Sequence, residues 1–486
     1  MREKINTCLS FLNVLFLLFL SGCSLEPAYH RPSAAAPEQW KTRQEPMLTQ
    51  EEVAGWWEIF HDPELNRLMA EAIGNNPGLM AATERVEQAR DLAKIARSRL
   101  FPHLNLAPGY RDISFLNKYP FGPSSKHPYI TKNSLWEYQY TLPLTVNYEV
   151  DLWGAIRNTY KAAKLSAIAE KEALQAVLLV LTADLAHTYY RLCVQDAQID
   201  LLQSIIDTRK KALEIYQSRY EGRIINYTEV ASAEQDLDFA ESQLFAAWQL
   251  RNVLENQLAV LLGTSASEFS FAHHPLSLSA QPPLVPAGLP TQMLLRRPDL
   301  AEQERIMASL HAKIGVAYAS YFPSLFLTGS LGFRSPDWDQ FLTGKSKYWR
   351  TEADIFQFIF DAGARHYNVK YTWAQFRESL EIYRQKVLTA FQEVEDALSN
   401  LEWIVKGMGS LQDAVFAAKS NATIASDRYQ FGVINYLDVA NKNRQEFENQ
   451  RAYLLLLGMQ YGNTIQLIKA LGGGWDDEGR KLDVAK

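Results

Sequence analysis

The sequence predicts an α+β membrane protein in which very long antiparallel coiled-coil helices alternate with pairs of transmembrane β-strands, the whole plan occurring twice. Three observations carry this. Residues 174–220 hold a seam with unbroken 4-3 spacing, residues 138–150 alternate strictly with period two, and the second half of the chain repeats the first.

The seam runs through Leu174, Leu178, Leu181, Leu185, Thr188, Leu192, Gln195, Ile199, Leu202, Ile206, Arg209, Leu213, Tyr216 and Tyr220; only Thr188, Gln195 and Arg209 are not apolar. Sustained heptad spacing of this kind is the pattern of coiled-coil packing. The helical stretch from about 155 to 220 would be on the order of 100 Å long at 1.5 Å per residue. Val230, Ala233, Leu237, Ala240, Leu244, Ala247, Arg251, Leu254, Leu258 and Leu261 continue the spacing in a return helix that ends at Gly263. Two long helices therefore pack antiparallel about a bend at 221–226.

In residues 138–150, Tyr138, Tyr140, Leu142, Leu144, Val146, Tyr148 and Val150 alternate with Gln139, Thr141, Pro143, Thr145, Asn147 and Glu149. A half-buried strand of a soluble sandwich alternates too. Length near the ~9–11 residues of a spanning strand, aromatics toward the ends and a polar face suited to a wet lumen point to the membrane. Pro143 fits a bulge or an edge better than a central strand. Leu104, Leu106 and Tyr110 mark a less regular strand before it; residues 325–333 and 355–360 supply the second pair. Loops at about 118–136 and 335–350 would face outward.

The repeat shows in fixed offsets. Pro77 and Pro298, like Pro102 and Pro323, stand 221 positions apart, whereas Arg219 and Arg428, Asn226 and Asn435, and Gly263 and Gly472 stand 209 apart. The change of 12 falls where the strands and their loop lie. Four strands per chain cannot enclose a usable lumen, so spanning requires several copies to pool their strands.

At the N-terminus, Arg2 and Lys4 precede an apolar run ending in Leu20-Ser21-Gly22-Cys23. The run is shorter than the roughly 20 residues of a membrane helix and reads as a signal peptide over 1–22. Leu-Ser-Gly-Cys resembles a bacterial lipobox, which implies that Cys23 becomes the acylated first residue; Ser24 behind it implies the outer membrane. Residues 23–55 would form the lipidated tether, 56–262 the first repeat, 263–297 a Pro-rich linker, 298–472 the second repeat and 473–486 a tail. With Cys8 in the signal and Cys23 acylated, Cys193 stands alone and suits a small buried filler.

Net charge is −6 without a basic block, which argues against nucleic acid as a partner. Thr343-Gly344-Lys345-Ser346 ends like a P-loop, but Asp339 occupies the place of its first glycine. Histidine spacing suggests no zinc site, and no G-x-S-x-G nucleophile elbow occurs. No enzyme activity and no cofactor are expected.

The candidate site is a repeated pentapeptide at the two helix bends: Asn226-Tyr227-Thr228-Glu229-Val230 and Asn435-Tyr436-Leu437-Asp438-Val439. Each asparagine could cap the following helix with an acid three residues on, a capping-box-like arrangement that also suits the helix dipole.

The lipobox, Tyr148-Glu149-Val150-Asp151-Leu152-Trp153-Gly154, Arg296-Arg297-Pro298-Asp299-Leu300, Tyr321-Phe322-Pro323-Ser324 and Leu471-Gly472-Gly473-Gly474-Trp475 together resemble the TolC-like outer-membrane efflux ducts, in particular the NodT-type lipoproteins of resistance-nodulation-division systems. The resemblance covers essentially the whole mature chain. It implies a homotrimer with a 12-stranded β-barrel in the outer membrane above a helical barrel that crosses the periplasm. It also implies a periplasmic adaptor and an inner-membrane pump as partners, and an aperture at the helix bends ringed by Glu229 and Asp438 beside Asn226, Tyr227, Asn435 and Tyr436. Ile434 and Asn441 stand where relatives can carry further aspartates, which implies a less acidic constriction. The function expected is a passive, gated exit duct. A type I secretion channel and a structural periplasmic spacer without a pore are the alternatives.

Overall fold

The computed structural model describes residues 24–31, 37, 39–42, 55–115, 135–285 and 296–473. Cys23 and the signal, the loop at 116–134, part of the linker and most of the tail lie outside these residues. In chain order the elements are α1 (Pro63–Asn75), α2 (Pro77–Ser98), β1 (His103–Leu106), β2 (Gly109–Phe115), β3 (Leu135–Val150), α3 (Ala155–Glu221), α4 (Tyr227–Leu262), α5 (Pro298–Ala319), β4 (Ser324–Ser335), β5 (Lys347–Phe356), α6 (Ala364–Gln430) and α7 (Tyr436–Ala470). Helices α3 and α6 each span 67 residues. No described helix is long and apolar enough to cross a membrane. The chain divides into two compact units, each drawing on both halves of the sequence: residues 1–32, 87–169 and 304–381 form one, and 33–86, 170–303 and 382–486 the other.

The first unit contains one antiparallel sheet of order β1-β3-β4-β5, with β2 also paired to β3. Partners across a ladder share a face, so the register assigns both sides. One side carries Leu142, Leu144, Val146, Tyr148 and Val150 with Leu325, Leu327, Leu331, Phe333, Trp349 and Ile355. The other carries Thr141, Thr145, Asn147 and Glu149 with Thr328, Ser330, Arg350, Glu352 and Asp354; Pro143, Phe326 and Phe356 are among its apolar members. Side chains tie the polar face together: Thr328 donates to Asn147 Oδ1 at 3.2 Å, and the hydroxyls of Thr145 and Ser330 lie 3.2 Å apart. The apolar face is uncovered on the single chain, with Leu331, Trp349 and Ile355 more than half exposed.

Two expectations about the strands change. The irregular first strand is two strands, β1 and β2, lying along the same edge of β3 and separated at Ala107 and Pro108. The interruption lies beside Pro143, which has no N–H to give; its carbonyl instead accepts from the Ala107 N–H at 3.3 Å. Across the other edge Pro143 meets Gly332, where a Cβ would come within 2.1 Å of the Leu142 carbonyl oxygen, so only glycine fits. The last strand is Lys347–Phe356 rather than 355–360. Residues 348–355 alternate Tyr, Trp, Arg, Thr, Glu, Ala, Asp, Ile, whereas the apolar run after them lies beyond the ladder, with Ile359 and Phe360 almost fully exposed.

Below the sheet, two of the sequence motifs join. The Trp153 indole N–H donates to the Pro323 carbonyl at 2.8 Å and its ring stacks on Phe322 at 4.6 Å. Asp151 accepts the N–H groups of Ile156 and Arg157, capping the start of α3.

In the second unit the predicted seam is buried from Leu181 to Tyr216 except at Arg209 and Leu213, which are half-buried. Its polar positions have work across the seam. Gln195 donates to the Ala247 carbonyl at 3.0 Å, and Arg209 donates to the carbonyl of Asp236. Leu237 and Ala240 pack on Ile206, and Ala247 on Ile199 and Leu202. Trp56, Leu65, Leu68 and Met69 of the N-terminal part bury against Leu185, Tyr189 and Leu192. Cys193 lies there at 1% exposure, its thiol pushed well up by burial.

A buried ion pair anchors the linker. Arg251 Nε lies 2.7 Å from Asp196 Oδ1, Nη1 lies 3.0 Å from Glu255 and Nη2 donates to the Phe271 carbonyl; Asp196 also accepts the His274 N–H. The Arg-Arg-Pro-Asp motif makes a second junction. Arg297 holds both oxygens of Asp299, reaches Glu393 at 2.5 Å and donates to the Ala470 carbonyl at the end of α7. Burial alone would raise the Asp299 carboxyl, but the Arg297 hydrogen bonds and charge outweigh it and hold it below the usual range.

The two bends close in the same way. After α3, the Arg223 N–H bonds to the Tyr220 carbonyl and the Ile224 N–H to that of Arg219; after α6, Gly432 bonds to Tyr429 and Val433 to Arg428. This paired arrangement is a Schellman motif, which demands a left-handed residue. Gly432 (φ 72°) meets the demand freely, whereas Arg223 adopts φ 56° against its Cβ.

Two outcomes follow. Arg251→Ala strands the fully buried Asp196 and lowers stability by about 3–5 kcal/mol, read as an earlier thermal loss of helical circular dichroism in detergent; an unchanged midpoint would contradict the burial. Arg223→Gly leaves the first bend as stable or firmer by up to about 1 kcal/mol, while Gly432→Val loosens the second by about 1–2 kcal/mol, read by amide hydrogen exchange at each bend.

Candidate functional site

The repeated pentapeptide opens α4 and α7, and in each copy one residue is committed to packing: Val230 is 3% and Val439 2% exposed. The residues before them point outward. Asn226, Tyr227, Glu229, Asn435 and Asp438 are all exposed on the single chain; the Tyr436 side chain lies outside what the structure describes. The valine therefore seats the helix start, leaving Asn226, Tyr227 and Glu229 in the first copy and Asn435 and Asp438 in the second facing solvent.

Capping differs between the bends. Asn435 Oδ1 accepts the Asp438 N–H at 3.0 Å, as an N-cap should. Asn226 sits in the same extended conformation but makes no side-chain cap bond; the Glu229 N–H bonds to its backbone carbonyl at 3.1 Å. The expected capping role thus holds for Asn435 and fails for the Asn226 side chain.

The structure brings the two bends to one cavity. A groove of about 520 Å³ between α3, α4 and α7 is lined by Glu229 and Asn435, with Tyr216, Asp236, Arg444 and Phe447 among its other walls. Asp438 lies outside this lining. The end of α3 also meets the end of α6, where the Arg219 guanidinium stacks over the Tyr429 ring at 4.9 Å from its centroid. Tyr220 packs edge-on against Tyr227 at 5.7 Å.

Asp236, Arg444 and Arg209 of the groove were not singled out as site residues by sequence. Asp236 receives Arg444 Nη2 on its carboxylate at 2.6 Å and Arg209 on its backbone carbonyl, so one residue of α4 links α7 and α3. The pair is partly exposed, at 43% for Arg444 and 28% for Asp236. The signal available in the sequence was Arg209, a charge on an otherwise apolar seam. No group of histidine, cysteine, aspartate or glutamate among the described residues is placed to hold a metal ion.

Known proteins resemble this chain over nearly its whole length. The family model for outer membrane efflux proteins matches residues 68–264 and 289–473. The solvent efflux pump outer membrane protein SrpC of Pseudomonas putida is 33% identical over 468 residues, covering 94% of this chain and 97% of that protein. The cation efflux system protein CusC of Escherichia coli is 29% identical over 478 residues, covering 94% and 97%. Among solved structures, the outer-membrane channel OprN superposes with a TM-score of 0.85 at 25% identity, over 93% of this chain and 100% of that one. With the family model spanning both helix pairs and both sets of strands, the chain belongs to the outer membrane efflux protein family, as the outer-membrane component of an efflux pump.

Proposed function

We propose that the protein is a passive exit duct: three copies pool their strands into a closed 12-stranded β-barrel, their long helices form a barrel in the periplasm, and the helix bends close its inner end. The observation that carries this is the sheet. One face is mainly apolar and free of charge from Leu325 to Leu331, the other is mainly polar, and the outer edges of β1, β2 and β5 have no ladder partner among the described residues. Lipid tolerates only closed barrels of strands, and further copies supply the closure.

The domain plan is the one expected from the sequence, a signal over 1–22, a tether over 23–55 acylated at Cys23, and two repeats over 56–262 and 298–472 joined by the linker. Equal lengths of α3 and α6 and the matching bends support the repeat. The partners are a periplasmic adaptor and an inner-membrane pump, which supply the energy; the duct itself does no chemistry. The relatives' names span solvents and cations; of these, uncharged solvents are the class proposed here.

Opening requires the helix pairs to part at the bends. Glu229, Asp438, Asn226, Asn435, Tyr227 and Tyr436 form the aperture, and the Asp236 to Arg444 link holds α4 to α7 in the closed arrangement. Removing both acids, Glu229→Ala with Asp438→Ala, raises closed-state conductance in planar bilayers, and an unchanged trace defeats the aperture assignment. Arg444→Ala breaks a partly exposed pair worth about 0.2–1 kcal/mol per copy. It therefore raises the open fraction by about 1.4- to fivefold per link, and the effect shrinks at high salt; an open fraction equal to the parent's removes the link from the gate.

A further inference from the structure

We propose that the polar face of the sheet is divided along its length into an inner carboxylate zone and an outer guanidinium zone, which together select solutes by charge as they pass. The inference rests on the duct reading, in which this face lines the lumen.

The register places the charges. Taking the end that leads into α3 as inner, Glu149 and Asp354 lie on one level, both opposite Phe326. Glu352 is on the next polar level, opposite Thr328, which faces Asn147 and through it His103. Outward from there the charges change sign. Arg350 lies opposite Ser330 and Thr145, Arg334 opposite Thr141, and Arg111 opposite Gln139. From the Glu149 level to the Gln139 level the three acids are inside the three arginines, and Glu137, opposite Ile113, stands one polar level beyond them. Where the zones touch, Arg350 Nη2 and Glu352 Oε2 are 3.2 Å apart; farther in, Arg99 approaches Glu149 only to 3.8 Å.

Solubility does not demand this sorting, since interspersed signs solvate a surface equally well. Nor does the lipid face: its charged positions within the described pairings, Lys347 and Asp112, fall at outer registers. Glu149 and the Gln139 level are ten residues apart, about 33 Å along a strand. Screening acts over about 8 Å at physiological salt, so a solute feels the two zones one after the other. A cation is concentrated at the inner zone and repelled at the outer, and an anion experiences the reverse. Neutral and net-neutral solutes meet neither barrier, and these are the class the lumen favours.

Charged thiol reagents read the two zones separately. Single cysteines are placed at Asn147→Cys, in the inner zone, and Thr141→Cys, in the outer, in the full-length protein in outer-membrane vesicles. The parent chain serves as the blank, its Cys193 being buried. Cationic and anionic methanethiosulfonates of similar size are compared at each site, so the intrinsic preference of a thiolate cancels between sites. The expected result is a cation-to-anion rate ratio about tenfold higher at position 147 than at 141 at low ionic strength. The difference collapses at about 1 M salt, where screening acts over about 3 Å. Glu149→Gln with Glu352→Gln and Asp354→Asn lowers the ratio at 147, and Arg334→Gln raises it at 141. Equal ratios at the two sites, or ratios unmoved by neutralisation, overturn the charge layering while leaving a wet lumen. Failure of both cysteines to react with either reagent overturns the duct reading itself, and the layering with it.

Discussion

The register of the sheet is the constraint on which the rest depends. Side chains alternate with period two, so in the proposed barrel a slip of one residue would move Leu144, Val146 and Leu331 to the wet side and Thr145, Asn147 and Ser330 into lipid. Hydrophobic patterning alone resists that slip, and the chain adds local pins. Only glycine fits at 332 against the Leu142 carbonyl, the Ala107 N–H locks to Pro143, and Trp153 with Asp151 fixes the point at which β3 becomes α3. Strand direction and helix direction are thereby set together. A misregistered strand would also misplace the start of a 67-residue helix.

The helical unit solves a different problem. A long helix buries a stripe and leaves most of its circumference exposed, so its partners must be specified one position at a time. Apolar seam residues supply the driving force, each worth about 1.5–3 kcal/mol when fully buried, but a smooth seam would allow sliding. Gln195 and Arg209 interrupt it, and each bonds a particular carbonyl of α4. Arg251 and Asp196 do the same with charge, at a depth where either alone would be costly. Large side chains remain exposed away from the seam, among them Phe239, Phe245, Trp403 and Phe416. In the proposed trimer these are the surfaces available to neighbouring copies.

What the sequence showed and what it hid divide along physical lines. The seam, the alternation of β3 and the repeated bends were legible because each is a periodicity imposed by burial on one side of a regular element. The break between β1 and β2 was hidden because it arises from Pro143, a residue on the neighbouring strand. β5 was misplaced because hydrophobicity drew the eye to 355–360, while the strand at 347–356 mixes charge on one face with Trp349, Ala353 and Ile355 on the other. In the candidate site, the pentapeptides marked the bends correctly, but pattern alone could not tell that Asn435 caps and Asn226 does not. The Asp236 to Arg444 link joins residues 208 positions apart, and no local rule reaches that far.

The two bends, alike in sequence, are unequal in energy. The second has a glycine at the left-handed position and a side-chain cap on its returning helix. The first has Arg223 at that position and no such cap. A left-handed non-glycine residue costs about 1–2 kcal/mol, and an absent cap forgoes about 1 kcal/mol. The first bend is therefore the softer one by a margin larger than the Asp236 to Arg444 pair supplies. Motion that parts the helices has less to break at α3 and α4 than at α6 and α7. Asp236 sits on α4, the helix that follows the softer bend, and its Arg444 partner follows the firmer one. In the proposed duct, a pair spanning a soft and a firm hairpin restrains the element that would otherwise move first, which is the arrangement that lets a weak surface ion pair act as a latch.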